Sequence, residues 1–215
     1  MPSPLGRGWP AAGAFISRGG AGEGFRFCGR DSHTNNAAVR LKEPSFDEER
    51  CKFMRDEVFM LTVMAVVQRG QVYSETCTET EKSDFRHRLR EHLEGIIDKY
   101  KEPIAEEVHL QNIESLANQL SHSCGNLLYH SRFRIGSAQK ALNLFLKYLW
   151  CMGEVARPPH CPFDRRVIVG LLKDTQCNWT QCDHIDCYNR WVAEAKVKAG
   201  AQSLAEWEVA AYNES

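Results

Sequence analysis

Several protein classes are excluded by what the 215-residue chain does not contain. Its longest apolar run, "VFMLTVMAVV" at positions 58–67, falls well short of the ~20 residues that span a bilayer. The N-terminus has no apolar core of the sort a secretory signal carries. Nine cysteines, an odd number, follow no disulfide-framework spacing, so a reduced, cytoplasmic protein with mostly free thiols is expected. A formal net charge of −1 makes no global case for nucleic acid or for a membrane surface. No segment alternates apolar and polar residues as a half-buried strand does, and no segment repeats. Phosphate-binding P-loops, nucleophile elbows and His-Glu-x-x-His metal helices are missing too.

What the chain does have is helical periodicity and an uneven distribution of charge. Residues 75–120 hold eleven acids against six bases, whereas residues 121–173 hold eight bases against only Glu154 and Asp164. A local basic face suits a nucleic-acid contact; it equally suits two complementary surfaces packed within one fold. Hydrophobic content of 43% supports one substantial core. Residues 1–42 hold many of the glycines and no periodicity, and are expected to be a disordered extension or to precede the native start codon. Residues 43–215 are expected to form a single compact, multi-helix, all-α domain.

Six or seven helices are expected in that domain. Ser45 and Glu48 form a capping box ahead of a helix at 46–68, which Gly70 can end. A second helix presents Phe85, Leu89, Leu93, Ile96, Ile97 and Tyr100 on one face. A third, after Pro103, presents Val108, Ile113, Leu116 and Leu120. The fourth, from about Ser137 to Met152, carries Ala138, Ala141, Leu142, Phe145 and Leu149 at three- and four-residue spacing. Pro162 suits the first turn of a fifth, "FDRRVIVGLLK". Thr180 with Asp183 caps a sixth whose core face is Tyr188, Trp191, Val192 and Ala195, and Ser203 with Glu206 caps a last one.

The fourth helix also carries Lys140 and Lys147, seven residues apart, on one face that lies largely off the apolar stripe. Two solvated lysines are the plain reading. A second reading starts from the turn before them. Gly136 and Ser137 open the helix, and N–H groups there can meet a phosphate. A lysine in the first turn opposes the helix dipole, which favours the neutral amine that a nucleophile must be. Asp164, two residues after Pro162, is either a plain helix-start carboxylate or one aimed into a cleft. In a cleft it can stabilise an oxocarbenium sugar or orient a water.

The order of turn, helix with an early lysine, and Pro-x-Asp opening the next helix resembles the active-site plan of the helix-hairpin-helix DNA glycosylase superfamily. The segment "AQKALNLFLKYLW…PPHCPFDRRVI" is most similar to the divergent branch near the 8-oxoguanine glycosylases, over roughly residues 130–170. The resemblance implies a helix-hairpin-helix-like element and excision of a modified base flipped out of double-stranded DNA. It makes Lys140 the amine nucleophile and Asp164 the catalytic carboxylate. Arg134 stands where the hairpin's first glycine is usual, and 24 residues separate Lys140 from Asp164. A monofunctional enzyme relying on Asp164 alone therefore stays open beside a Schiff-base enzyme with lyase activity. Candidate DNA contacts are Arg132, Arg134, Gly136, Ser137, Lys147 and Arg165; candidate stacking rings are Phe133, Tyr148, Trp150, Phe163 and Trp179. Some members carry an iron–sulfur cluster, but Cys177, Cys182, His184 and Cys187 include no Cys-x-x-Cys pair, so no metal and no cofactor is expected. The expected base is an oxidised purine in repair, or a hypermodified, glucosylated cytosine of phage DNA in antiviral defence. A monomer without membrane contact is expected. The alternative is a non-catalytic helical module that binds nucleic acid or protein through the basic segment.

Overall fold

The computed structural model describes residues 46–68 and 70–214; the expected extension at 1–42 and the Ser45 cap lie outside the described residues. The fold is all-α. Its α-helices are α1 (Phe46–Val67), α2 (Glu79–Gly95), α3 (Glu106–Cys124), α4 (Ile135–Cys151), α5 (Ile185–Ala199) and α6 (Leu204–Asn213). No strand forms among the described residues; a lone antiparallel bridge joins Tyr73 to Leu128. No helix among them is long and apolar enough to cross a membrane.

Helix α4 is central. Helices α1 and α3 pack most extensively against it, and the 3-10 turn Trp179–Gln181 and α5 cover other sides. Twelve of its 17 residues are buried. Ala138, Ala141, Leu142, Phe145 and Leu149 are fully buried, as their spacing predicts, and each of the larger side chains contributes about 1.5–3 kcal/mol by leaving water. Enclosure also buries residues off that stripe: Gln139, Lys140 and Asn143. Periodicity assigns these to solvent, and the surrounding helices overrule it.

Other elements depart from expectation in local ways. In α3 Val108 is exposed, while His109 and Asn112 are buried. After Pro162 no α-helix forms; the chain makes a short π-helical turn, Arg166–Leu171, closed by the Leu172 N–H to Val167 C=O bond at 2.8 Å. Lys173, in the left-handed region at φ 64°, ends it. Thr180 does not cap α5. It lies in the 3-10 turn, where Asn178 Oδ1 accepts from its N–H, while Asp183 is drawn off by Arg132 and His184 becomes the N-cap. Helix α2 starts with a capping box of Thr78 and Glu81, and Ser203 caps α6 as its sequence indicates.

Tyr100, His109, Asn112, Gln139, Asn143, His160 and Tyr188 hydrogen-bond to one another in a single network. Asn112 donates to Tyr100 Oη at 3.0 Å, so the Tyr100 hydroxyl donates to His109 Nδ1 at 2.8 Å. His109 is then the Nε2–H tautomer and donates to Asn143 Oδ1 at 2.8 Å. The Asn143 amide donates to Gln139 Oε1 and to Tyr188 Oη, and the Tyr188 hydroxyl donates to His160 Nδ1 at 2.8 Å. Every member is neutral in this arrangement. Burial pushes the His109 pKa down to about 3, with His160 adding to the shift. Burial and then the Lys196 charge push His160 down to about 3 as well. Glu106 Oε1 lies 3.3 Å from His160 Nε2 and by itself would favour the imidazolium, but Glu106 is already paired with Lys196.

Histidines in an unfolded chain titrate near 6.5. Below that pH the unfolded chain binds protons that folded His109 and His160 refuse, so stability is full above about 6.5 and is lost as pH falls towards 3. Each histidine contributes a slope approaching about 1.4 kcal/mol per pH unit in that window. Urea midpoints should therefore fall between pH 6.5 and 5, above the carboxylate range, and the fall should shrink when His160 is replaced by a non-titrating residue. A flat midpoint over that interval contradicts the neutral network.

Candidate active site

Lys140 and Asp164 meet although they come from separate elements. Helix α4 begins at Ile135, so Lys140 sits in its second turn rather than its first, and the dipole argument weakens accordingly. Its side chain is 5% exposed, with Nζ 3.8 Å from Asp164 Oδ2 and 4.3 Å from the centre of the Trp179 ring. The Asp164 side chain is 31% exposed. Its Oδ1 accepts from the N–H groups of Arg166 at 2.8 Å and Val167 at 3.2 Å, which start the π-helical turn. Thus one oxygen is fixed by backbone and the other faces the amine.

Gln139 holds this geometry. Its Nε2 donates to the Phe163 carbonyl at 2.8 Å and its Oε1 accepts from the Phe163 N–H at 3.1 Å. Both backbone groups of the residue before Asp164 are therefore bonded to the side chain of the residue before Lys140. Asn143, one turn on, orients the same Gln139 oxygen at 3.2 Å. Sequence reasoning missed Gln139 and Asn143; their four-residue spacing on one face was the available signal.

Trp179 is brought in by a close backbone approach. The Gly136 N–H donates to Cys182 C=O at 2.8 Å, and a Cβ on Gly136 would lie 1.7 Å from the Trp179 carbonyl oxygen. Only glycine fits there. A cavity of about 500 Å³ adjoins the Trp179 ring and is lined by Arg165, Ile168, Val169, Asn178 and Thr180 among others. A larger cavity, about 770 Å³, lies between α1 and α2 among the Arg55, Asp56, Arg90 and Glu94 charges. Neither cavity is lined by Lys140 or Asp164; the smaller one is the candidate substrate space because its lining includes Trp179, whose ring lies over the Lys140 amine, and Arg165, the residue after Asp164.

The remaining sequence candidates sort by burial and partner. Phe133 and Phe163 are 1% and 0% exposed and belong to the core, which removes them as stacking rings. Tyr148 and Trp150 are half-buried. The Gly136 N–H is committed to Cys182 and the Ser137 N–H to the Arg134 carbonyl, so this helix start is not an open phosphate cradle. Arg132 pairs with Asp183, and Arg134 donates to the Thr180 carbonyl at 2.8 Å while lying over Tyr129. Lys147 donates to Glu208 at 2.6 and 2.9 Å. Arg165 is exposed at the cavity. Among the described residues no cluster of His, Cys, Asp and Glu is arranged to hold a metal ion.

No family profile, no curated protein and no solved structure matches the chain.

In most helix interiors Gly→Ala stabilises by about 1 kcal/mol. Gly136→Ala should do the opposite, costing about 3 kcal/mol as the Trp179 turn is forced away. Urea or thermal unfolding reads the sign directly, and a Gly136→Ala variant as stable as the wild type contradicts the close approach.

Proposed function

We propose that the chain is a DNA glycosylase of the helix-hairpin-helix kind, cleaving the N-glycosidic bond of a modified base flipped from duplex DNA. The observation that carries the reading is the pairing of a buried amine with a partly open carboxylate, 3.8 Å apart, with Trp179 packed over the amine and lining a neighbouring cavity. As the base departs with the bonding electrons, positive charge develops at C1′ and O4′ of the sugar. Asp164 is the anion that can face that charge, pre-oriented by two backbone N–H groups.

Two routes complete the cleavage. In one, the Lys140 ammonium gives up a proton that the departing base takes up, Nζ bonds to C1′ as the C1′–base bond breaks, and Asp164 accepts one of the two remaining Nζ protons and returns it to O4′ as the C1′–O4′ bond breaks. This opening of the sugar ring gives an imine to Lys140. In the other, a water adds to C1′ and Asp164 takes its proton, leaving a free abasic site. The cavity volume of about 500 Å³ falls in the range of small-ligand sites and accommodates a base with a substituent. Asn178, Thr180 and Arg165 supply hydrogen-bonding groups around it. The base proposed is a hypermodified one, such as the glucosylated cytosine of phage DNA in a defence role, with an oxidised purine in repair as the other candidate.

A second reading rests on the 5% exposure of Lys140: the pair is a structural tie in a non-catalytic, nucleic-acid- or protein-binding helical module. Incubation with modified duplexes and with phage genomic DNA, followed by hot alkali, separates the two. The glycosylase reading predicts strand breaks at abasic sites, reduced on the order of 100-fold or more in Asp164→Asn. If Lys140 forms the imine, borohydride traps a DNA adduct that Lys140→Gln cannot form. Wild-type protein that releases no base from any of these substrates sinks the enzyme reading.

A further inference from the structure

Helix α1 is apolar on two opposite faces. One, through Val58, Phe59, Val63 and Val66, is buried in the domain. On the other, Phe46, Phe53, Met60 and Met64 are 77%, 60%, 48% and 46% exposed, with Met54 and Leu61 beside them. A surface helix ordinarily turns charged residues outward. From those exposures the face shows roughly 600 Å² of apolar surface, the upper end of what a soluble monomer's largest patch carries.

Positions 46, 50, 53, 57, 60 and 64 alternate four- and three-residue steps, the spacing of a two-helix seam, and read Phe, Arg, Phe, Glu, Met, Met. The seam thus holds one base and one acid, seven residues apart. A parallel, in-register neighbour would set Arg50 against Arg50 and Glu57 against Glu57. An antiparallel one centred near position 55 sets Phe46 against Met64 and brings Arg50 within one turn of Glu57 on the other chain. Within its own chain Arg50 meets Asp47 at 3.1 Å, but both side chains are highly exposed and such a pair is weak enough to exchange. Two such faces together remove roughly 1,200 Å² from water, the lower bound of a specific interface.

We propose that this face of α1 binds a second copy of the chain in antiparallel register, giving a two-fold dimer held by Phe46, Phe53, Met60 and Met64 and oriented by Arg50 and Glu57. Neither Lys140 nor Asp164 lies on α1, so the dimer stands or falls apart from any activity.

Sedimentation equilibrium of the full chain over a micromolar range is the test. The wild type should show a dimer mass, and Met60→Glu with Met64→Glu should weaken the dimer at least tenfold while circular dichroism keeps the helical signal. Arg50→Glu alone and Glu57→Arg alone should each weaken it, and the swapped pair R50E/E57R should restore it. A wild-type monomer at every concentration overturns the proposal. So does a dimer indifferent to the methionine changes, or single charge reversals that the swap does not rescue.

Discussion

An ammonium withdrawn from water on a helix buried nearly all round must be matched, and Lys140 is matched by the Asp164 carboxylate and the Trp179 ring. An unmatched charge there would carry a penalty of several kcal/mol. The elements around α4 follow from this demand. Gln139 ties the Phe163 backbone to α4 and so fixes Asp164; Gly136 lets the Trp179 turn approach until its ring covers the amine. The contacts that hold the fold closed at this point are the ones that aim the candidate catalytic groups.

The two lysines of α4 differ in a way that bears on function. Lys147 and Glu208 are both largely buried and hydrogen-bonded at 2.6 Å, a closed pair with its capacity used inside the fold. Lys140 and Asp164 stand 3.8 Å apart, beyond a direct hydrogen bond, and the carboxylate is partly open to solvent. Lys147 has the features of a structural pair. Asp164 keeps a partly exposed side, while Lys140 is enclosed between it and the Trp179 ring.

The apolar half of the molecule was legible in the sequence. Phe85, Leu89 and Leu93, the α4 stripe, and Tyr188, Trp191, Val192 and Ala195 are all buried as their spacing predicts. The polar interior was not. Lys140 reads as outward-facing because periodicity weighs neighbours along one helix, whereas its partner Asp164 lies 24 residues on; Asn143 bonds His109 and Tyr188, 34 and 45 residues away, and Gln139 bonds Phe163, 24 residues away. The same blindness explains Val108, which matches a helical stripe by spacing while the network claims His109 and Asn112 for the interior. The juxtaposition of Lys140 with Asp164 followed from the motif; the role of Gln139 in making it did not. Arg132, Arg134 and the helix start are spoken for by Asp183, Thr180 and Cys182, partners that no local pattern announces.

In the proposed glycosylase, Asp164 faces a cationic sugar. Binding of two duplexes measures this most directly, one carrying a pyrrolidine abasic-site analogue, whose ring nitrogen is protonated, and one its neutral tetrahydrofuran counterpart. The account predicts that the wild type prefers the cationic duplex by on the order of 100-fold, as an enzyme prefers a transition-state mimic, and that Asp164→Asn binds both alike. Equal affinity of the wild-type chain for the two duplexes would contradict it.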